Sequence, residues 1–328
     1  PDFIGRAISV LPAVETAALV INAQAGVETV SRRIMRAAGE RRLCRMIIVN
    51  RIDSGDVDLA ALMNEIRDAF GAECLPLNLP CDNAAAVADC FFQPADVVPD
   101  FSGVDAAHTE IVDQVVELVE QLMEIYLEQG EEITPEQLHD PFERALRRGH
   151  LIPVCFVSAE TGSGINQLLN IFSKLMPNPL EANPPVFYRG EGDAAEQVAV
   201  SADPDAHFIG HVFKVNVDPY IGKLGVFRVH QGRVKHGDAV YVGERRKSFK
   251  AAHLYRLQGG EMTEIAAAVP GDICAVAKVE QLEYDAVLHS SHDEDHFHLQ
   301  PIRLPEPMYG LAVETPVSYT HLTLPTIR

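Results

Sequence analysis

The chain has 328 residues, enough for two or three domains with cores of their own. Hydrophobic residues make up 47% and charged residues 23%, an ordinary globular balance, and no apolar run approaches the ~20 residues that cross a bilayer. A net charge of −20 excludes a surface that wraps nucleic acid all round and leaves room for one local basic patch. The six cysteines are scattered without a Cys-x-x-Cys pair, as expected of reduced, mostly buried thiols in a cytoplasmic protein without a zinc site. The start, Pro1-Asp2-Phe3, carries neither an initiator Met nor a secretory signal, so the chain is expected to be a piece of something longer.

In chain order, residues 2 to about 14 can form a helix with Phe3, Ile4, Ile8 and Leu11 as an apolar face. Residues 17–22 read as a buried strand, and Ala25-Gly26-Val27-Glu28 as a turn into a helix over 29–38. The unbroken run Met46-Ile47-Ile48-Val49 suits a strand buried on both faces, as in parallel sheets, and it stops at Asn50-Arg51-Ile52-Asp53. Asp56 is expected to cap a helix over 57–70. Such alternation predicts an α/β, doubly wound parallel sheet, whose ligands sit beyond the carboxyl ends of the strands.

Residues 74–80 look extended, and 81–102 look like an irregular insert. Two acidic amphipathic helices follow, about 107–128 and from Thr134-Pro135 to near Arg148, with Thr134 as N-cap. Their acidic face, Glu117, Glu120, Glu124 and Glu128, reads as solvated surface. A second buried strand, 151–157, stops at Ser158-Ala159, and Gly162 and Gly164 lead into a helix over 165–176.

Two strand ends thus carry short polar signatures. A carboxylate at position 53 can accept two hydrogen bonds, and guanine offers that donor pair on its ring nitrogen and exocyclic amine; adenine does not. Discrimination against a base that leaves such a group unpaired can reach roughly 10⁴. Backbone N–H groups of a tight Ser158-Ala159 turn can point at a base carbonyl, which again favours guanine. The competing reading of Asn50 and Asp53 is a strand end followed by a helix cap. An ATP-using α/β enzyme fits the strands but not Asp53.

Residues 178–206, rich in Pro, Gly and acidic side chains, read as a linker. Short strands follow, with candidates at 208–215, 225–230, 239–242 and 273–279. Turns are expected at Gly232-Arg233-Val234-Lys235-His236-Gly237-Asp238 and Val269-Pro270-Gly271-Asp272, where Gly supplies positive φ. Arg245, Arg246, Lys247 and Lys250 are expected to form the only dense basic patch, either a solubilising hairpin tip or a contact for RNA phosphates. His289, His292, His296 and His298, interleaved with Asp293, Glu294 and Asp295, lack rigid metal-ligand spacing and read as a solvated linker. Ser318 to Thr326 can be back-translated into the end of a sequencing adapter, so a read-through is expected from about Pro316.

These motifs together resemble the translational GTPases, most of all elongation factor G and elongation factor G-like proteins, over nearly all of residues 2–314. Asn50-Arg51-Ile52-Asp53 resembles the family's Asn-Lys-x-Asp, with Arg51 where the family usually has Lys, and Ser158-Ala159 its Ser-Ala motif. Asp2-Phe3 resembles the residues that follow the Asp-x-x-Gly switch. Val217-Asp218-Pro219-Tyr220-Ile221-Gly222-Lys223 resembles the first loop of the β-barrel second domain.

The resemblance implies an N-terminally truncated G domain at 1–182 with an inserted subdomain at about 71–150, a linker at 183–206 and an antiparallel β-barrel at 207–288. A linker and the start of a third domain follow at 289–316, then a non-native tail at 317–328. It implies GTP or GDP as ligand, read by Asn50, Arg51, Asp53, Ser158 and Ala159, and a monomer in the cytoplasm whose barrel meets ribosomal RNA, with no membrane partner. Gly-x-x-x-x-Gly-Lys-Ser/Thr, the switch threonine and Asp-x-x-Gly-His are absent from these residues. Mg²⁺ and catalysis are therefore expected of a longer parent alone, and this chain is not expected to hydrolyse GTP. The implied alternatives are a ribosome-binding module with a vestigial G domain and a ribosomal-protection or peptide-release relative.

Overall fold

The structure is a computed structural model that describes residues 3–92, 97–118, 135–218, 222–302 and Gly310. Helix α1 (Ile4–Val10) runs into a 3-10 turn, Leu11–Ala13. A parallel sheet follows, built from β1 (Thr16–Asn22), β2 (Cys44–Asn50), β6 (Ile152–Val157) and β3 (Cys74–Pro76), in the order β1-β2-β6-β3.

Alternate residues of β2 serve opposite faces. Met46 and Ile48 join a core with Ile111, Phe142, Leu168 and Ile171, while Ile47 and Val49 join another with Met35, Leu62, Met63 and Ile66. Helices α2 (Thr29–Glu40) and α3 (Leu59–Phe70) cover the second face. Helices α4 (Val104–Val116), α5 (Pro135–Arg148) and α6 (Ile165–Lys174) cover the first. Burial on both sides explains the unbroken apolar runs.

Several expectations shift. Strand β1 lies at the sheet edge, so Leu19 and Ile21 are buried but Val20 is 58% exposed. Asp58, not Asp56, caps α3, accepting the Ala61 N–H at 2.9 Å. The insert contains a hairpin of β4 (Asn78–Cys81) and β5 (Ala86–Asp89). Glu117 is exposed, whereas Glu120, Glu124, Glu128 and Thr134 lie outside the described residues. All six cysteines are buried free thiols, and burial pushes that of Cys155 up to about 12.

Among the described residues, the two expected linkers each contribute short strands, and these pair with each other. β7 (Phe187–Arg189) and β8 (Glu196–Val198) form an antiparallel sheet with β19 (Phe297–Leu299) from the histidine-rich stretch. Its apolar face packs Phe187, Val200, Phe297 and Leu299 together. His289 is fully buried, with ring nitrogens 2.7 and 2.8 Å from the carbonyls of Ser291 and Gly243. The solvated reading is therefore corrected at His289, where hydrogen bonding to backbone replaces hydration, and at the buried Glu294, while His292, Asp293 and His296 are exposed. Among the described residues no group of three or more His, Cys, Asp or Glu side chains could hold a metal ion.

The second unit is an antiparallel, curled eight-stranded sheet. It runs β13 (Phe249–Lys250), β12 (Ala239–Val242), β18 (Val287–His289), β9 (Ile209–Asp218), β10 (Gly222–Gln231), β17 (Ile273–Ala277), β14 (Leu254–Gln258), β15 (Glu261–Glu264). A short pair, β11 (Val234–Lys235) with β16 (Ala267–Ala268), stands beside it. Both Gly-Asp turns form as expected: Gly237 and Gly271 have φ of 89° and 98°, and Asp238 and Asp272 accept the N–H groups of Lys235 and Val269. Residues 219–221 of the expected first loop lie outside the described residues. Ala13 packs against Phe213 and Val226, and Arg228 reaches back to the Ala13 carbonyl and the Glu15 carboxylate, so the two units share an interface.

Candidate functional site

The two polar signatures meet because β2 and β6 are neighbours in parallel register, Asn50 lying opposite Val157. Each chain leaves the sheet at the same edge, which places 51–53 beside 158–159. The Ile52 N–H donates to the Val157 carbonyl at 3.4 Å. The Asn50 carboxamide oxygen accepts the Arg51 N–H at 2.8 Å and the Ala159 N–H at 3.0 Å, fastening one loop to the other.

Ser158 is fully buried and organises its own turn. Its N–H donates to the Ser163 carbonyl at 2.9 Å, its carbonyl accepts the Gly162 N–H at 2.9 Å, and its hydroxyl accepts the Thr161 N–H at 3.1 Å. Gly164 makes the tight return possible, with φ 73°. Both N–H groups expected to face a base carbonyl are therefore engaged within the protein, one by Ser163 and one by Asn50. The turn's direct contribution is to hold Asn50.

Arg51 is exposed, with φ 66° in the left-handed region, a conformation that costs roughly 1–2 kcal/mol for a residue with a side chain. Strain of this kind concentrates at functional sites. Asp53 is exposed, and its carboxylate has no hydrogen bond or ion pair among the described residues. Two unengaged oxygens can accept two N–H donors. A cavity of about 290 Å³ beside Asp53 is bounded by Ile52, Asp58, Ala84, Asp100 and Phe101, and Ser158 and Ala159 are not in its wall. The structure thus joins Asn50, Arg51 and Ala159 directly by hydrogen bonds, and Asp53 to them through the loop alone.

In the second unit Arg246, Lys247 and Lys250 are exposed around β13, and Arg245 pairs with Glu283. They are not the only dense basic group. Arg42, Arg45, Arg144, Arg147 and Arg148 converge on one cavity. Their sequence signal is the Arg144, Arg147, Arg148 spacing on one helix, but the union with Arg42 and Arg45 arises from tertiary packing. Asn78 was also missed as a structural anchor: its carboxamide exchanges two hydrogen bonds with the Phe156 backbone, just before the Ser158 turn.

Residues 1–178 match the family described as Elongation factor Tu GTP binding domain, and 207–290 match Elongation factor G domain 2. Two Elongation factor G-like proteins of Mycobacterium tuberculosis, strains CDC 1551 / Oshkosh and ATCC 25618 / H37Rv, are each 27% identical over 340 residues, covering 95% of this chain and 47% of theirs. A crystal structure of a protein from Thermus thermophilus superimposes with a TM-score of 0.76 and 30% identity, over 94% of this chain and 45% of that one. The chain spans about half the length of these relatives.

Proposed function

This chain belongs to the elongation factor G-like family of translational GTPases, and on that premise we propose that its parallel sheet reads guanine at the carboxyl ends of β2 and β6. Asp53 accepts the ring and exocyclic N–H groups of the base. Asn50 holds the loop that carries it, Arg51 lies along the base in place of a lysine stem, and Ser158 seats the turn. Ala159 contributes by donating its N–H to the Asn50 carboxamide, which fixes the base-reading loop. The observation that carries the reading is the Asn50 carboxamide, which accepts from Arg51 and Ala159 together and so couples the two signature loops.

GTP or GDP is the ligand proposed for the family's domain, and its phosphates supply the bond that a complete GTPase cleaves. The residues present here bind and orient the base. Gly-x-x-x-x-Gly-Lys-Ser/Thr does not occur in the sequence, so these 328 residues are assigned base recognition and not turnover. No Mg²⁺ ligand is assigned among the described residues. A ribosome in the cytoplasm is the proposed partner, met by the barrel through Arg246, Lys247 and Lys250, with Arg245 nearby.

The test is saturation-transfer NMR of the chain with millimolar guanosine and adenosine in competition. Charge-assisted hydrogen bonds contribute about 1.5–3 kcal/mol each, so binding is expected to be weak but guanine-selective. Equal displacement by adenosine contradicts the assignment.

A further inference from the structure

At the end of the sheet remote from Asn50, Arg42, Arg45, Arg144, Arg147 and Arg148, with His150, line a cavity of about 640 Å³. It lies where β2 begins, a strand length or about 20 Å from Asn50. Arg42 follows α2, Arg45 lies on β2, and the other three arginines come from the last turns of α5.

Arginine near a helix C-terminus has an ordinary explanation, attraction to the dipole. Two such termini meet here, each equivalent to about half a negative charge. Glu143 adds one carboxylate, 3.3 Å from Arg147. Against five guanidinium groups these leave about three positive charges without a counter-charge. Arg42, Arg45, Arg144 and Arg148 have no ion pair among the described residues.

The wall is also built to hold the arginines. The Arg45 guanidinium lies against Gly39 and Gly149, where an added Cβ would come 3.4 Å from Nη1 and 2.8 Å from Nη2. Asn183 donates to the carbonyls of Arg42 and Arg147, at 2.7 Å each, which ties the two segments together.

The chemistry selects an occupant. The charged lining is arginine without lysine, and the guanidinium fork suits bidentate contact with phosphate oxygens. The volume falls in the small-molecule range of roughly 300–1,000 Å³, and about three uncompensated charges match a di- or triphosphate. A long nucleic-acid backbone would instead follow an extended basic track. We infer that this five-arginine cavity is a binding site for a compact polyphosphate group, separate from the proposed guanine site.

The experiment is calorimetric titration of the full 328-residue chain with inorganic tripolyphosphate at low salt, followed by ATP and a single-stranded RNA oligomer. Tripolyphosphate is expected to bind, and Arg144→Gln with Arg148→Gln, both exposed side chains, to lower its affinity at least tenfold without changing the circular dichroism. Asp53→Asn is expected to leave tripolyphosphate binding unchanged, which separates this site from guanine recognition. Comparable binding of ATP marks a nucleotide polyphosphate as source, and its exclusion marks a free polyphosphate. No binding of tripolyphosphate, binding indifferent to the arginine substitutions, or binding of the RNA oligomer alone overturns the inference.

Discussion

Asn78 and Phe156 are joined by two hydrogen bonds, the Asn78 Nδ2 donating to the Phe156 carbonyl at 3.0 Å and its Oδ1 accepting the Phe156 N–H at 2.7 Å. Both side chains are fully buried. The carboxamide does for β6 what a further strand would do, two residues before Ser158. Asn78→Leu leaves both backbone groups unpaired, and each is expected to cost about 1–3 kcal/mol. Urea unfolding measures this; a loss under about 0.5 kcal/mol would contradict the anchoring role.

Gly164 holds the return of the Ser158 turn. A Cβ there would sit 2.4 Å from the Phe156 carbonyl oxygen and 3.3 Å from the Val157 Cα, with φ already at 73°. Gly164→Ala is expected to cost at least about 1–2 kcal/mol from the left-handed conformation, with backbone displacement added. The amide resonance of Ala159 should shift with it. An unchanged melt and spectrum would show that the turn tolerates a side chain.

His230 provides a pH dependence. Its Nε2 is buried without a partner, and burial, reinforced by His211 and Arg228, holds the imidazole well below its usual 6.5. As the pH falls below 6.5 the unfolded chain takes up a proton at this position and the folded protein does not. Stability present above that value is therefore lost towards acid, by up to about 1.4 kcal/mol per pH unit. His230→Phe is expected to remove that share of the slope in melts between about pH 5 and 8. Parallel curves for the two proteins would rule it out.

The core of the parallel sheet was legible because both faces of β2 and β6 are covered, which forces unbroken apolar runs into the sequence. The meeting of Asn50 with Ala159 followed from both signatures lying at strand ends. Asn78 was not legible as an anchor, since its partner is 78 residues away and nothing in the extended reading of 74–80 marks which long-range backbone groups its carboxamide meets. Nor was the sheet of β7, β8 and β19: its strands have three residues each, too short for periodicity to show against Pro, Gly and acidic neighbours. The use of the Ser158 and Ala159 N–H groups inside the protein was hidden for a similar reason. A local signature does not reveal which long-range acceptor claims a donor.

Arg246 and Lys247 bear on the proposed ribosome contact. Arg246→Ala with Lys247→Ala is expected to weaken ribosome binding and to lower the slope of log affinity against log salt by about 0.7 for each phosphate no longer neutralised. Unaltered affinity and slope would leave the patch as a solubilising hairpin tip.

The most direct measurement concerns Asp53. Asparagine there presents an N–H donor where xanthine carries an oxygen and guanine an amine. Saturation-transfer NMR of parent and Asp53→Asn with guanosine and xanthosine should show the preference reverse, with guanosine weakened about 10- to 150-fold, the equivalent of one charge-assisted hydrogen bond. The same order of preference in both proteins would mean that the carboxylate at position 53 does not read the base.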